Sequence, residues 1–102
     1  MTERRHAIIF PRQRNILKNL GENIKLARKR RMLTQKQISE RTGLSRVTIR
    51  KTENGDAGVS IGHYLVVLSA LHLADDLAMV ARDDEFGRRL QDAKLLSGTV
   101  KK

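Results

Sequence analysis

The 102-residue sequence predicts an all-α fold: five short helices in one compact domain, with a flexible basic arm before it and a charged tail after it. Three observations predict this. Apolar residues recur at three- and four-residue steps from Leu17 to Val80, the period of helices with one buried face. Thr34, Ser45 and Ser60 each precede such a run, where a side-chain oxygen caps a helix start, and Gly43 and Gly55 follow two of the runs, where a left-handed residue ends a helix. The length allows one domain with a single modest core. The boundaries predicted are an arm over 1–13, a domain over 14–81 and a tail over 82–102.

In the arm, "AIIF" stands just before Pro11, which suits the first turn of a helix because its missing N–H has no partner there anyway. AIIF reads equally as a short strand or as an apolar plug against the domain. The first helix is predicted over about 14–31, on the stripe Leu17, Leu20, Ile24 and Ala27. Gly21 falls inside it at a cost of about 1 kcal/mol relative to Ala, so a break is expected there.

Thr34 followed by Gln37 has the spacing of a capping box and starts the second helix, which stops at Gly43. Ser45, one residue further on, caps a third helix that reaches Glu53 or Asn54. A turn this short cannot lay two helices antiparallel, so they cross steeply. Ser60 caps a fourth helix whose apolar residues Ile61, Tyr64, Leu65, Val67, Leu68 and Leu71 form a wide face, predicting a central, well-buried element. Asp75 and Asp76 suit the first turn of a fifth helix through Leu77 and Val80. From Arg82 onward the chain is charged and sparse in carbon and reads as a tail.

Charge is distributed unevenly. Residues 1–54 hold 15 Lys+Arg against 4 Asp+Glu, a surplus of 11, whereas residues 55–102 hold 6 against 7. This asymmetry predicts a polyanion facing the first half, with nucleic acid favoured. A membrane surface is disfavoured because the basic segments lack the Trp or Phe of interfacial helices, and no apolar run approaches the roughly 20 residues that span a bilayer. Absence of cysteine excludes disulfides and thiolate metal sites. The four-residue apolar run near the start is too short for a signal peptide, so a cytoplasmic location is expected.

Residues 35–54 carry the most specific pattern in the chain. "LTQ", Ile38, Gly43, Leu44, Ser45, Ile49 and "ENG" together resemble the helix-turn-helix of the XRE family, the Cro and phage-repressor type of transcription regulator, and the wider likeness covers about 16–80. It implies a repressor-like five-helix DNA-binding domain. Ser39 stands where a small Ala is usual, and Thr42 and Thr52 stand where aliphatic residues are usual, so a somewhat less stable helix pair is expected.

With Leu44 and Ile49 inward, the outer face of the third helix is Ser45, Arg46, Val47, Arg50, Lys51 and Asn54. A helix fits the major groove, where Arg can bond guanine O6 and N7 together and an aliphatic group can meet a thymine methyl. Arg46 and Lys51 are therefore the candidate base readers, with Val47 as the methyl contact. The resemblance places base contacts at these same three residues and gives Gln35 a contact near the groove edge. Thr34, Lys36, Ser45, Thr48, Arg50, Asn54, Arg30 and Arg31 are candidates for backbone or supporting contacts, as are Arg4, Arg5, Arg12 and Arg14 in the arm. Asn54 and the N–H groups around Gly55 are expected to hold a phosphate. The resemblance also implies a structural ion pair between Arg28 and Glu53. The plain alternative for Arg46 and Arg50 is a solvated charged face, and for Val47 it is packing onto the domain.

Enzymatic readings find little support. His6, His63 and His72 lack metal spacing, Asp83, Asp84 and Glu85 read as a solvated charge run, and neither a phosphate loop nor a nucleophile elbow is present. No catalytic residue, metal or cofactor is expected. Two-fold operators imply a homodimer, for which Leu71, Leu73, Leu77 and Val80 are the nominated surface, with AIIF as a possible strand pair. Residues 55–95 resemble HipB-like antitoxins, which implies autorepression and a HipA-like serine/threonine kinase toxin as a second partner. The alternatives are a stand-alone regulator of the same family and a protein- or RNA-binding adapter built on the same helical module.

Overall fold

A computed structural model describes residues 7–97. Six helices follow in order: α1 (Pro11–Arg30), α2 (Gln35–Thr42), α3 (Arg46–Glu53), α4 (Ile61–Ala70), α5 (Asp75–Ala78) and α6 (Glu85–Ser97). There is no strand among the described residues, and no helix of theirs is long and apolar enough to cross a membrane. α1 packs on α3, α2 on α3 and α4, and α3 on α4. The core is correspondingly small: Ile24 and Ala27 from α1, Ile38 from α2, Ile49 from α3, then Tyr64, Val67, Leu68 and Leu71. Burial of each large side chain contributes about 1.5–3 kcal/mol.

α1 begins at Pro11, three residues earlier than the apolar stripe indicates, and Gln13 Oε1 accepts the Phe10 N–H at 3.1 Å in front of it. The break expected at Gly21 is not there. Gly21 is buried, and a Cβ on it would collide with the Gly55 nitrogen and the Glu53 carbonyl, while a Cβ on Gly55 would collide with the Leu17 carbonyl. Two glycines thus let the backbone of α1 and the end of α3 touch, and close approach explains Gly21 better than a helix end does. α1 terminates through Met32 in the left-handed region, φ 58°.

The AIIF segment is not a strand. Ile9 is half-buried in an apolar groove with Leu17, Leu20 and Tyr64, whereas Ile8 and Phe10 are exposed, which favours the plug over the strand.

Four further expectations need correction. α4 is half-buried, not buried all round: Tyr64, Val67 and Leu68 face the core, and Ile61, Leu65 and Val66 face outward. Leu71 is fully buried, so it belongs to the core and cannot serve a dimer surface. α5 is one turn, starting at Asp75 and Asp76 as expected but ending before Val80. The segment read as a tail contains α6. Asp84 starts it, its carboxylate accepting the Gly87 N–H at 3.0 Å, and Arg89–Glu85 and Arg88–Asp83 pairs at 2.8 and 3.0 Å support the first turns. The acidic run is therefore engaged in capping and pairing this helix. α6 buries no residue.

Candidate nucleic-acid interface

The interface is built on the turn between α2 and α3. Thr34 Oγ1 accepts the Gln37 N–H at 3.0 Å and Gln37 Oε1 accepts the Thr34 N–H at 2.8 Å, completing the capping box that starts α2. Gly43, at φ 76°, ends α2 in the left-handed region. Ser45 Oγ accepts the Thr48 N–H at 3.1 Å and starts α3.

Side chains brace this turn in a way the sequence did not disclose. Ser39 Oγ donates to the Leu44 carbonyl at 2.6 Å. Thr42 Oγ1 donates to the Ile38 carbonyl at 2.7 Å and accepts the Leu44 N–H at 3.1 Å. Thr52 Oγ1, fully buried, donates to the Thr48 carbonyl at 2.8 Å. The three polar residues expected to weaken the helix pair thus all have satisfied hydroxyls, and two of them tie the turn to Leu44. Their hydroxyls therefore carry no penalty for an unmade hydrogen bond.

α3 divides cleanly into two faces. Ile49, Thr52 and Glu53 are buried. Ser45, Arg46, Val47, Arg50, Lys51 and Asn54 are exposed, and Thr48 is half-buried with its hydroxyl 3.0 Å from Ser45 Oγ. Val47 is 46% exposed, so its methyls are not packed back onto the domain. Arg46, Arg50 and Lys51 have no ion-pair partner among the described residues. Three uncompensated cations and one aliphatic group therefore share an outward face.

Behind that face a buried charge network fixes α3. Arg28 Nε and Nη2 donate to the two carboxylate oxygens of Glu53 at 2.6 and 3.0 Å, and Arg28 Nη1 donates to the Leu33 carbonyl at 2.8 Å. Gln35 Nε2 donates to the same carboxylate at 3.0 Å. One network thus links α1, the first residue of α2 and the end of α3. It commits one N–H of Gln35, leaving its other N–H and its carbonyl uncommitted. Nothing in the sequence signals a contact between residues 18 positions apart on different helices.

The remaining candidates are dispersed. Lys36, Arg30, Arg12 and Arg14 are exposed, and Arg31 Nη1 donates to the Ala27 carbonyl at 2.9 Å, capping the end of α1. The N–H groups around Gly55 do not form a phosphate site: that of Gly55 bonds the Thr52 carbonyl and that of Asp56 the Lys51 carbonyl, closing α3. The Asn54 side chain remains exposed. Arg4, Arg5 and His6 lie outside the described residues. No group of three or more His, Cys, Asp or Glu able to hold a metal ion occurs among those described, and His63 and His72 are both exposed.

Residues 24–73 match the family model described as helix-turn-helix. The chain carries a helix-turn-helix domain. The match runs from the middle of α1 to the residues after α4 and so contains the braced turn, the outward face of α3 and the Arg28–Glu53 network. No curated protein matches the chain. Domains of this helix-turn-helix type are DNA-binding and not catalytic.

Proposed function

We propose that this helix-turn-helix protein is a sequence-specific transcriptional repressor, acting in the cytoplasm as a homodimer on a near-palindromic operator. The observation that carries the proposal is the outer face of α3, where Arg46, Val47, Arg50 and Lys51 are exposed and the cations have no ion-pair partner among the described residues. Arg46 and Lys51 read guanine edges, Val47 meets a thymine methyl, and Gln35 uses its uncommitted N–H at the groove edge. Thr34, Lys36, Ser45, Thr48, Arg50, Asn54, Arg30 and Arg31 contact or support the phosphate backbone, which sets register without reading sequence. A two-fold dimer spaces two such helices by about 34 Å, one turn of duplex. A protein-binding adapter has no use for three cations interleaved with an aliphatic side chain on one helical face, and the deep, narrow major groove of an RNA helix does not admit that face.

The test uses duplexes selected by the protein from a random-sequence pool. Arg46→Ala is expected to lose about 1–3 kcal/mol on a selected duplex and much less on random duplex. Equal losses on both would refute base reading.

The likeness of residues 55–95 to HipB-like antitoxins supports a finer reading, in which the repressor controls its own operon and holds a HipA-like serine/threonine kinase inactive. Co-purification with a kinase encoded beside it tests this step. Failure to form a complex at micromolar concentration would leave a stand-alone regulator.

A further inference from the structure

We infer that Val47 reads the C5-methyl group of a pyrimidine beside the guanine bonded by Lys51, so that 5-methylcytosine stands in for thymine and cytosine methylation strengthens binding. This rests on the base-reading part of the proposal above and extends it to a chemical mark on the duplex.

Val47 is the one apolar residue on the outward face of α3, among Ser45, Arg46, Arg50, Lys51 and Asn54. It is 46% exposed. Arg50 and Lys51 follow it by three and four residues, which sets a cation on either side of it at Cβ separations of about 5–6 Å. A second copy of the same face is no cover for it, because like charges would meet across the contact. Neighbouring base pairs stand about 3.4 Å apart, so Val47 and Lys51 reach adjacent pairs of one duplex.

The side chain is also held in place. A valine, branched at Cβ, keeps one strongly preferred χ1 rotamer in a helix. Beneath it, the Glu53 carboxylate accepts from Arg28 and Gln35, and Thr52 Oγ1 donates to the Thr48 carbonyl, so α3 is anchored on its inner side. The methyls of Val47 thus keep a fixed offset from the Lys51 ammonium.

In the major groove the pyrimidine C5-methyl is the protruding apolar group among donors and acceptors. Thymine carries it by nature and 5-methylcytosine by modification, at the same ring position, whereas uracil and cytosine carry hydrogen there. A hydroxyl or amide at residue 47 would separate thymine O4 from cytosine N4 by hydrogen bonding. Val47 has neither donor nor acceptor and senses the methyl alone.

The test changes one methyl at a time in duplexes that the wild-type protein selects from a random-sequence pool. Each thymine is replaced in turn by uracil, which keeps every hydrogen bond to adenine, and each such position is also rebuilt as a cytosine–guanine pair with and without the 5-methyl group. At one position in each half-site, uracil should weaken binding about fourfold and 5-methylcytosine should bind about fourfold tighter than cytosine, the worth of one buried carbon. Val47→Ala, a change on the exposed face that leaves the core untouched, should bring both ratios close to one at that position. A wild type indifferent to every methyl, or ratios that persist in Val47→Ala, would overturn the inference. Sensitivity to uracil without sensitivity to 5-methylcytosine would overturn acceptance of the mark. If Arg46→Ala loses affinity on the selected duplexes while no methyl matters, base reading stands and this inference alone fails; a protein that selects no sequence refutes both.

Discussion

Replacing Arg28 with Met tests whether the buried network holds the recognition helix. The Glu53 side chain is 2% exposed and that of Arg28 9%. Glu53 now receives three donors, two from Arg28 and one from Gln35. Arg28→Met removes two of them and strips the Leu33 carbonyl of its guanidinium donor. Met fills much of the volume, so the loss is electrostatic and not a cavity. Removing one partner of a buried pair costs about 3–5 kcal/mol, because the remaining charge has neither water nor counterion. Domains of this size are stable by only about 5–15 kcal/mol, so the variant sits near the edge of folding. Urea unfolding followed by helical circular dichroism measures the change, with an unaltered slope showing that the same surface is exposed. The double variant Arg28→Met/Glu53→Leu removes the stranded carboxylate as well and should recover about half of the loss or more. A loss below about 1 kcal/mol in the single variant, or a double variant less stable than the single, would refute this account of how α3 is anchored.

Three further outcomes follow from local geometry. Gly21→Ala, favourable for a helix by propensity, should instead destabilise by about 1–3 kcal/mol in the same urea assay, since the added carbon meets backbone atoms of Glu53 and Gly55. Ser39→Ala should cost about 1 kcal/mol by leaving the Leu44 carbonyl short of a donor, whereas Thr52→Val should change stability by less, because the Thr48 carbonyl lies within a helical ladder. Tyr64, the only tyrosine, has its pKa raised above 10.0, first by burial and then by the nearby Asp56 charge. Tyrosinate absorbance should therefore titrate above pH 10 in the folded protein and lower on unfolding. In the interval between, the unfolded chain has lost the phenolic proton and the folded one has kept it. The contribution of Tyr64 to stability is thus complete below its unfolded pKa and falls as pH rises through the folded one. A folded midpoint at or below 10 would contradict the burial argument.

The sequence by itself determined where α2, α3 and α4 start and where the first two of these stop. Thr34, Ser45 and Ser60 each accept the N–H three residues ahead, and a left-handed glycine follows α2 and α3, so those decisions are local and legible as spacing. The inward side of Ile49 was legible for the same reason, since a 3.6-residue period fixes a side. The α6 cap at Asp84 was equally local but is masked in the sequence by the surrounding charge run. Tertiary structure alone decided what lies between elements. Gly21 reads as a helix breaker until α3 is seen against it, Leu71 reads both as part of the buried face of α4 and as dimer surface until it closes the core, and Gln35 reads as free until Glu53 takes one of its hydrogens. Each of these depends on distances between residues far apart in the chain, which no periodicity encodes; a bond across space is set by how whole helices pack, and that is a property of the assembled core.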